Sequence, residues 1–317
     1  MYDKTILITG GAGFIGSHYL NTIVPRYPRY QFINVDALTY AANPANIRVA
    51  GAPNYRFVQA NICDREAMGR LFKEYAPTQV IHFAAESHVD NSIERPQAFI
   101  DTNIIGTQVL LDLARTHGIS RFHQISTDEV YGSIAEGIPP VTEDAPLLPN
   151  SPYSASKAAA DLLVRAYHKT FGLDTVITRA SNNYGPHQHT EKLIPRFITA
   201  LLKNGKVPLY GNGLNVRDWI YVGDHVEGID CAFHKGKSGE IYNLGGNNEL
   251  RNVEITDMLL IMSGLGSEMI EHVADRPGHD FRYAIDSSKA KREFGWRPTT
   301  DFTEGMQATW SYYAPTV

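Results

Sequence analysis

Short β-branched runs and longer amphipathic stretches take turns along the amino-terminal half of the chain, which predicts strands alternating with helices. Thr5-Ile6-Leu7-Ile8-Thr9 predicts a first strand, Ser17-His18-Tyr19-Leu20 a helix, and Gln31-Phe32-Ile33-Asn34-Val35 a second strand ending in Asp36. Tyr55-Arg56-Phe57-Val58-Gln59 predicts a third strand, followed by a helix through Leu71 and Phe72, and Gln79-Val80-Ile81-His82-Phe83 a fourth. Residues 101–116 carry Ile104, Ile105, Val109, Leu110 and Leu113 at helical spacing. A fifth strand over residues 121–125 precedes a long loop marked by Pro139, Pro140, Pro146 and Pro152, a candidate active-site rim. Pro152 and its flanking serines suit a helix start, which alanine-rich sequence continues. Strand, helix and strand at this spacing predict right-handed crossovers and a parallel sheet. From about Thr178 the character changes, with a helix predicted over 191–197 and short apolar segments at 207–211 and 216–222.

The connections carry the chemistry. Gly10-Gly11-Ala12-Gly13-Phe14-Ile15-Gly16 follows the first strand at once, and its glycines satisfy both G-x-G-x-x-G (11, 13, 16) and G-x-x-G-x-x-G (10, 13, 16). Such a loop permits a tight turn, close backbone approach to a pyrophosphate, and a helix whose N-terminus faces the anion. Glycines alone are weak evidence, but here a strand precedes them, a helix follows, and Asp36 lies twenty residues past Gly16. A carboxylate there suits the adenosine ribose hydroxyls and repels a 2′-phosphate, which favours NAD over NADP.

Ile125-Ser126-Thr127-Asp128-Glu129-Val130-Tyr131-Gly132 places Thr127 and two adjacent acids just past the fifth strand. In open α/β sheets that rim collects ligands and reacting groups. The pair could supply a proton donor and a proton acceptor to neighbouring carbons of one substrate, and taken alone it reads equally as a solvated acidic turn. Tyr153 and Lys157 are four residues apart and share one helix face. A free tyrosine, with a pKa near ~10, is a poor base at neutral pH, and a nearby ammonium together with a cationic nicotinamide favours its phenolate. Ala84 and Ala85 are small residues suited to a backbone passing under the cofactor. His88 reads either as a substrate contact or as a rim histidine bonded to backbone. Lys192, Arg217 and Arg276 could set three cations around a diphosphate. His187 and His189 are spaced as a metal pair, but no Cys or further His sits at a supporting spacing, so no metal is expected.

Composition narrows the class. The 317 residues are 43% hydrophobic, enough for one large or two modest domains with real cores. A formal net charge of −5 leaves no electrostatic footprint for nucleic acid or an anionic membrane surface. Cys63 and Cys231 lack C-x-x-C spacing, which predicts free thiols in a reducing compartment rather than disulfides or structural zinc. The start of the chain holds Asp3 and too short an apolar run for a signal peptide, and no stretch approaches the ~18 apolar residues of a spanning helix. A soluble, cytoplasmic protein is expected.

Taken together, these motifs resemble the extended short-chain dehydrogenase/reductase family, and within it the branch of 4,6-dehydratases that act on dTDP-glucose. The resemblance runs essentially end to end. It includes Thr9-Gly10-Gly11, Asp36-Ala37-Leu38-Thr39-Tyr40, residues 126–132 and 153–157, Ser181-Asn182-Asn183-Tyr184-Gly185-Pro186, and residues 191–195, 215–221 and 275–286. Thr127-Asp128-Glu129 is the discriminating signature, because related sugar-nucleotide epimerases usually lack the acid pair.

The resemblance implies a seven-stranded, doubly wound parallel Rossmann-type α/β sheet with a smaller, discontinuous carboxy-terminal substrate lobe. The NAD-binding part is expected over residues 1–180, with returns near 216–235 and within 240–290, and the sugar-nucleotide lobe mainly over 181–317. It further implies that Thr127, Asp128, Glu129, Tyr153 and Lys157 carry the chemistry. Gly10, Gly13, Phe14, Ile15, Gly16, Asp36, Leu38, Thr39, Asn61, Ile62, Ala84, Ala85, Ser87 and Thr102 are expected to contact NAD with Tyr153 and Lys157. His88, Asn182, Glu191, Lys192, Leu193, Pro208, Tyr210, Arg217, Asn252, Arg276 and His279 are expected to line the dTDP-glucose pocket with the three residues of the acidic turn. A homodimer paired through the helices over 101–116 and 154–170 is a further expectation. The runners-up are an NAD-dependent 4-epimerase or decarboxylase of a UDP-sugar, and a non-enzymatic dinucleotide-binding regulator. Asn61, Asn91 and His187-Gln188-His189-Thr190 depart from the family pattern, where Asp, Arg, and aromatics with a proline are usual.

Overall fold

Twelve strands and their connecting helices make up the described residues, 2–314, of the computed structural model. In chain order the strands are β1 (Lys4–Thr9), β2 (Tyr30–Asp36), β3 (Tyr55–Gln59), β4 (Gln79–His82), β5 (Arg121–Thr127) and β6 (Thr175–Ala180). There follow β7 (Asn182–Tyr184), β8 (Val207–Tyr210), β9 (Val216–Tyr221), β10 (Glu240–Leu244), β11 (Glu249–Arg251) and β12 (Ile270–Val273). Seven of them form one sheet in the order β10-β6-β5-β4-β1-β2-β3, and every pairing in it is parallel. The strand order reverses between β1 and β4, and a crevice opens at the carboxyl ends beside such a switch point.

The sheet is buried on both faces, which is why its strands read as continuous apolar runs such as Ile6-Leu7-Ile8. Helices Phe14–Arg26, Val222–Lys235 and Ser288–Phe294 cover one face through Leu20, Ile23, Ile229, Phe233 and Phe294. Helices Arg65–Tyr75, Thr107–Thr116 and Pro152–Phe171 cover the other through Phe72, Leu110, Val164 and Tyr167. The expected doubly wound sheet is present. A separate core around Tyr184, Phe197, Trp219, Leu259 and Met306 binds together the rest of the carboxy-terminal half, including the β11-β9-β7 and β12-β8 sheets.

Three elements differ from the reading of the sequence. Residues 101–116 are not one α-helix: Ile100–Gly106 is a π-helix that turns α-helical at Thr107. The wider turn lets the Thr107 hydroxyl reach the Asn103 carbonyl at 2.6 Å, and it buries the Asn103 side chain against Ser156 and the Glu86 backbone. Gly106 is needed there because a Cβ would sit 2.6 Å from Ile62. β5 runs on to Thr127 rather than ending at Ile125, since its register with β6 continues to the Thr127–Ala180 pair. The helix expected over 191–197 occupies Leu193–Leu201.

Candidate active site

The glycine loop closes as a cradle. Gly10 takes φ +73°, and a Cβ on it would lie 2.5 Å from the Ala84 amide nitrogen, so β1 and the end of β4 approach as only glycine permits. A Cβ on Gly16 would collide with the Gly10 carbonyl oxygen. Asp36, buried at the end of β2, accepts the Ala12 amide through Oδ2 at 2.9 Å and the Leu38 amide through Oδ1 at 2.8 Å. This fixes the carboxylate beside the loop.

From this cradle a cavity of about 320 Å³ runs along the carboxyl ends of the strands. Gly10, Gly13, Phe14, Ile15, Gly16, Asp36, Thr39, Asn61, Ile62, Ala84, Ala85, Ser87 and Thr102 line it around the glycine loop and the ends of β2 to β4. Thr127, Asp128, Glu129, Tyr153, Lys157, Asn182, Glu191 and Lys192 line the same cavity. Ser126 Oγ, Asp128 Oδ2, Asn182 Oδ1 and Gln188 Oε1 are buried with no partner among the described residues. Native interiors rarely tolerate four such atoms around one space without a polar ligand. Together with the cradle, they fit a dinucleotide and a second polar molecule.

The acidic turn is built by its own sequence. Thr127 caps the 3₁₀ turn Asp128–Tyr131 by accepting the Glu129 amide at 3.2 Å. That turn buries Asp128 and leaves Glu129 partly open to the cavity. Burial first, then the charges of Glu129 and Asp218, hold the Asp128 carboxyl well above the usual range. Burial also raises Glu129, but Arg276, Arg217 and Lys192 pull it back. Two neighbouring carboxyls in unequal fields suit one proton donor and one proton acceptor.

Opposite the turn, Ser151 and Ser154 form a capping box that starts the Pro152–Phe171 helix and brings Tyr153 and Lys157 to the cavity. Burial and the charge of Glu129 push the Tyr153 phenol above its usual value, against a hydrogen bond from Thr127. Lys157, buried and donating to the Ile125 carbonyl at 2.7 Å, is lowered by burial to about 8.

A model of the GDP-mannose 4,6 dehydratase family matches residues 7–309. Curated relatives named dTDP-glucose 4,6-dehydratase include one from Streptomyces griseus, 51% identical over 97% of this chain and 93% of the relative. One from Escherichia coli K12 is 45% identical over 97% of this chain and 92% of its own. The chain belongs to the dTDP-glucose 4,6-dehydratase family. The Streptomyces venezuelae dehydratase DesIV, solved with NAD and TYD bound, superposes with a TM-score of 0.95 at 48% identity, covering 98% of this chain and 97% of that one. A Thermotoga maritima UDP-glucose 4-epimerase, solved with UDP-glucose, is 31% identical with a TM-score of 0.91 over 98% of this chain and 99% of that one. Dehydratases and epimerases thus share the fold, and the site must separate them.

The other residues that the family resemblance singled out lie outside the wall of this cavity. Leu38 turns its side chain to the core, with φ +56°. His88, Tyr210 and Arg276 converge on Asp90, at 3.9, 3.2 and 3.4 Å. Lys192, which does line the cavity, ties its ammonium to the Ser87 carbonyl at 2.8 Å. Arg217 stacks on Tyr283 at 4.4 Å and donates to the Asp280 carbonyl at 2.9 Å, and His279 pairs with Asp275 at 2.6 Å. Asn252 is buried at its helix start with Oδ1 unpartnered among the described residues. Leu193 opens the Leu193–Leu201 helix, and Pro208 lies in β8.

Of the positions that depart from the dehydratase pattern, Asn61, Gln188 and His189 line the cavity. Asn61 lines it and accepts the Cys63 amide. Asn91 donates to the Tyr40 hydroxyl at 3.4 Å. The His189 ring meets Tyr40 edge-on at 5.6 Å, and His187 stacks on Tyr312 at 4.8 Å. Sequence reasoning did not single out Asp90, Ser126, Glu86 or Gln188 as site residues. Asp90 was legible only as a charge beside His88, whereas Tyr210 and Arg276, which it also joins, come from two distant segments.

Proposed function

We propose that this chain converts dTDP-glucose to dTDP-4-keto-6-deoxy-glucose and water. NAD, when bound, supplies reversible hydride acceptance and return, so no net oxidation results. The observation that carries the reading is the adjacent pair of buried Asp128 and half-buried Glu129 in one cavity with Tyr153 and Lys157. Tyr153 takes the proton of the sugar 4-hydroxyl, and Thr127 hydrogen-bonds the 4-oxygen. Lys157 holds the nicotinamide ribose. Burial favours the protonated form of Asp128, which suits it as the proton donor of the pair. Once C4 is a ketone the C5 hydrogen is acidic, and Glu129 removes it while Asp128 protonates the departing 6-hydroxyl; Glu129 returns the proton to C5 as C6 is reduced. The Gly10–Gly16 cradle, Asp36, Thr39, Asn61, Ile62, Ala84, Ala85, Ser87 and Thr102 hold the dinucleotide. Asn182, Glu191, Lys192, Arg217 and Arg276 hold the sugar nucleotide, with the three cations facing its diphosphate.

In this reading residues 1–180, with returns near 216–235 and within 240–290, bind NAD, and 181–317 mainly bind the sugar nucleotide. The last three of these lie outside the described residues. The return at Val222–Lys235, packed on the main sheet, and β10, its outermost strand, support that division. A homodimer is proposed on the exposed apolar residues Ile100, Ile105 and Leu162 of two neighbouring helices, and Leu162→Glu tests it by sedimentation. The free thiols of Cys63 and Cys231 support a reducing, cytoplasmic setting. Among the described residues no helix is long and apolar enough to cross a membrane.

The activity is tested by incubating the purified protein with dTDP-glucose and no added dinucleotide. A product one water lighter is expected. An isomer of unchanged mass identifies a 4-epimerase instead.

A further inference from the structure

A line of buried polar side chains joins the acidic turn to the Tyr153 helix without touching the cavity. Asp161 lies one helical turn past Lys157 and two past Tyr153, on the same face. Its Oδ2 accepts Arg179 Nε at 2.9 Å, from β6. Arg179 Nη1 donates to the Tyr131 hydroxyl at 2.9 Å, and its guanidinium stacks over the Tyr131 ring at 4.9 Å. The Tyr131 hydroxyl donates in turn to Asn243 Oδ1 on β10 at 2.8 Å. Tyr131 is the last residue of the 3₁₀ turn that begins with Asp128 and Glu129. All four side chains are buried, at 3% exposure or less. A buried ion pair of this kind is weak evidence for stability, since desolvation offsets its attraction, and its better-attested use is to fix one arrangement.

We propose that Asp161, Arg179 and Tyr131 form a strut that holds the acidic turn in register with Tyr153 and Lys157, so that proton removal and water loss keep pace with oxidation. The proposal rests on the dehydratase reading and makes the three positioning residues of that reaction. They act through the turn and the helix, and none meets the substrate.

The test compares wild type with Tyr131→Phe, which keeps the ring over Arg179 and deletes the hydroxyl, and with Asp161→Asn. Holoenzyme is mixed with dTDP-glucose and the absorbance of reduced nicotinamide followed. In Tyr131→Phe, oxidation and KM are expected to stay within about threefold while elimination slows about ten- to a hundredfold, the loss a misplacement on the order of 1 Å brings. Reduced cofactor then accumulates, as it does not in wild type. Equal slowing of both steps, or no slowing, overturns the proposal. Amide hydrogen exchange on the same proteins decides the strut without reference to activity. Faster exchange confined to residues 128–132 supports it, and unchanged exchange there, or loosening of the whole chain, overturns it. Should wild type leave dTDP-glucose untouched, the activity reading fails, and the exchange result still judges the strut.

Discussion

Lys157→Met should lose activity and gain stability, and the gain should vanish at high pH. The ammonium is buried, and desolvation lowers its pKa from 10.5 to about 8. At neutral pH, holding that charge costs about 3 kcal/mol of folding free energy, at ~1.4 kcal/mol for each tenfold change in proton affinity. Methionine removes that cost and forfeits the hydrogen bond to the Ile125 carbonyl, worth about 1 kcal/mol. The net is about 2 kcal/mol in favour of the variant, or about 3 °C in melting temperature for 317 residues. The sign with pH follows from proton binding. Between about 8 and 10.5 the unfolded chain keeps a proton that the folded chain has released, so wild-type stability from this group rises across that window. Urea unfolding of the cofactor-free proteins at pH 7 and above pH 10 measures both points. The variant should be the more stable at neutral pH and the less stable at high pH, while turnover falls about a hundredfold or more. A variant that is less stable at pH 7, with wild-type pH dependence, refutes the desolvation argument.

Asp128→Asn and Glu129→Gln should slow water loss more than oxidation at C4, so reduced cofactor builds up in single-turnover mixing; equal loss of both steps contradicts the division of labour. Tyr153→Phe should suppress the first oxidation, and no reduced cofactor should appear. Gly10→Ala should abolish cofactor retention, because its Cβ would meet the Ala84 amide at 2.5 Å with φ +73°, and dinucleotide released on denaturation measures this. Both acids sit above the usual carboxylate range, so the folded protein holds protons that the unfolded chain has lost. Their contribution to stability should therefore fall as pH rises through the raised values, and Asp128→Asn should flatten that fall in pH-resolved unfolding. For turnover, ionising Glu129 gives the rising limb of the pH profile and deprotonating Asp128 the falling one.

Local chemistry was legible wherever a few neighbouring residues suffice to define it. The glycine loop, Asp36 at the end of β2, the acidic turn and Tyr153 with Lys157 each depend on spacing within one element, and all meet in one cavity. Sequence spacing did not reveal the π-helix at Ile100–Gly106, because it answers to Asn103 reaching Ser156 across to another helix. The strut was hidden for the same reason: Asp161, Arg179, Tyr131 and Asn243 come from four elements, and nothing local distinguishes them from ordinary core polar residues. The spacing of Tyr153 and Lys157 predicts a phenolate favoured by the ammonium together with a cationic nicotinamide. The burial that raises the phenol and lowers the ammonium is a property of the assembled sheet and helices rather than of a five-residue motif.

In the proposed reaction, oxidation at C4, elimination across C5 and C6, and reduction at C6 occur at one site on a retained cofactor. Turnover of dTDP-glucose carrying deuterium at C4 tests it most directly. Deuterium is expected at C6 of a product one water lighter, with no dinucleotide consumed. Deuterium found at C4 of an epimer, or lost to solvent, would contradict it.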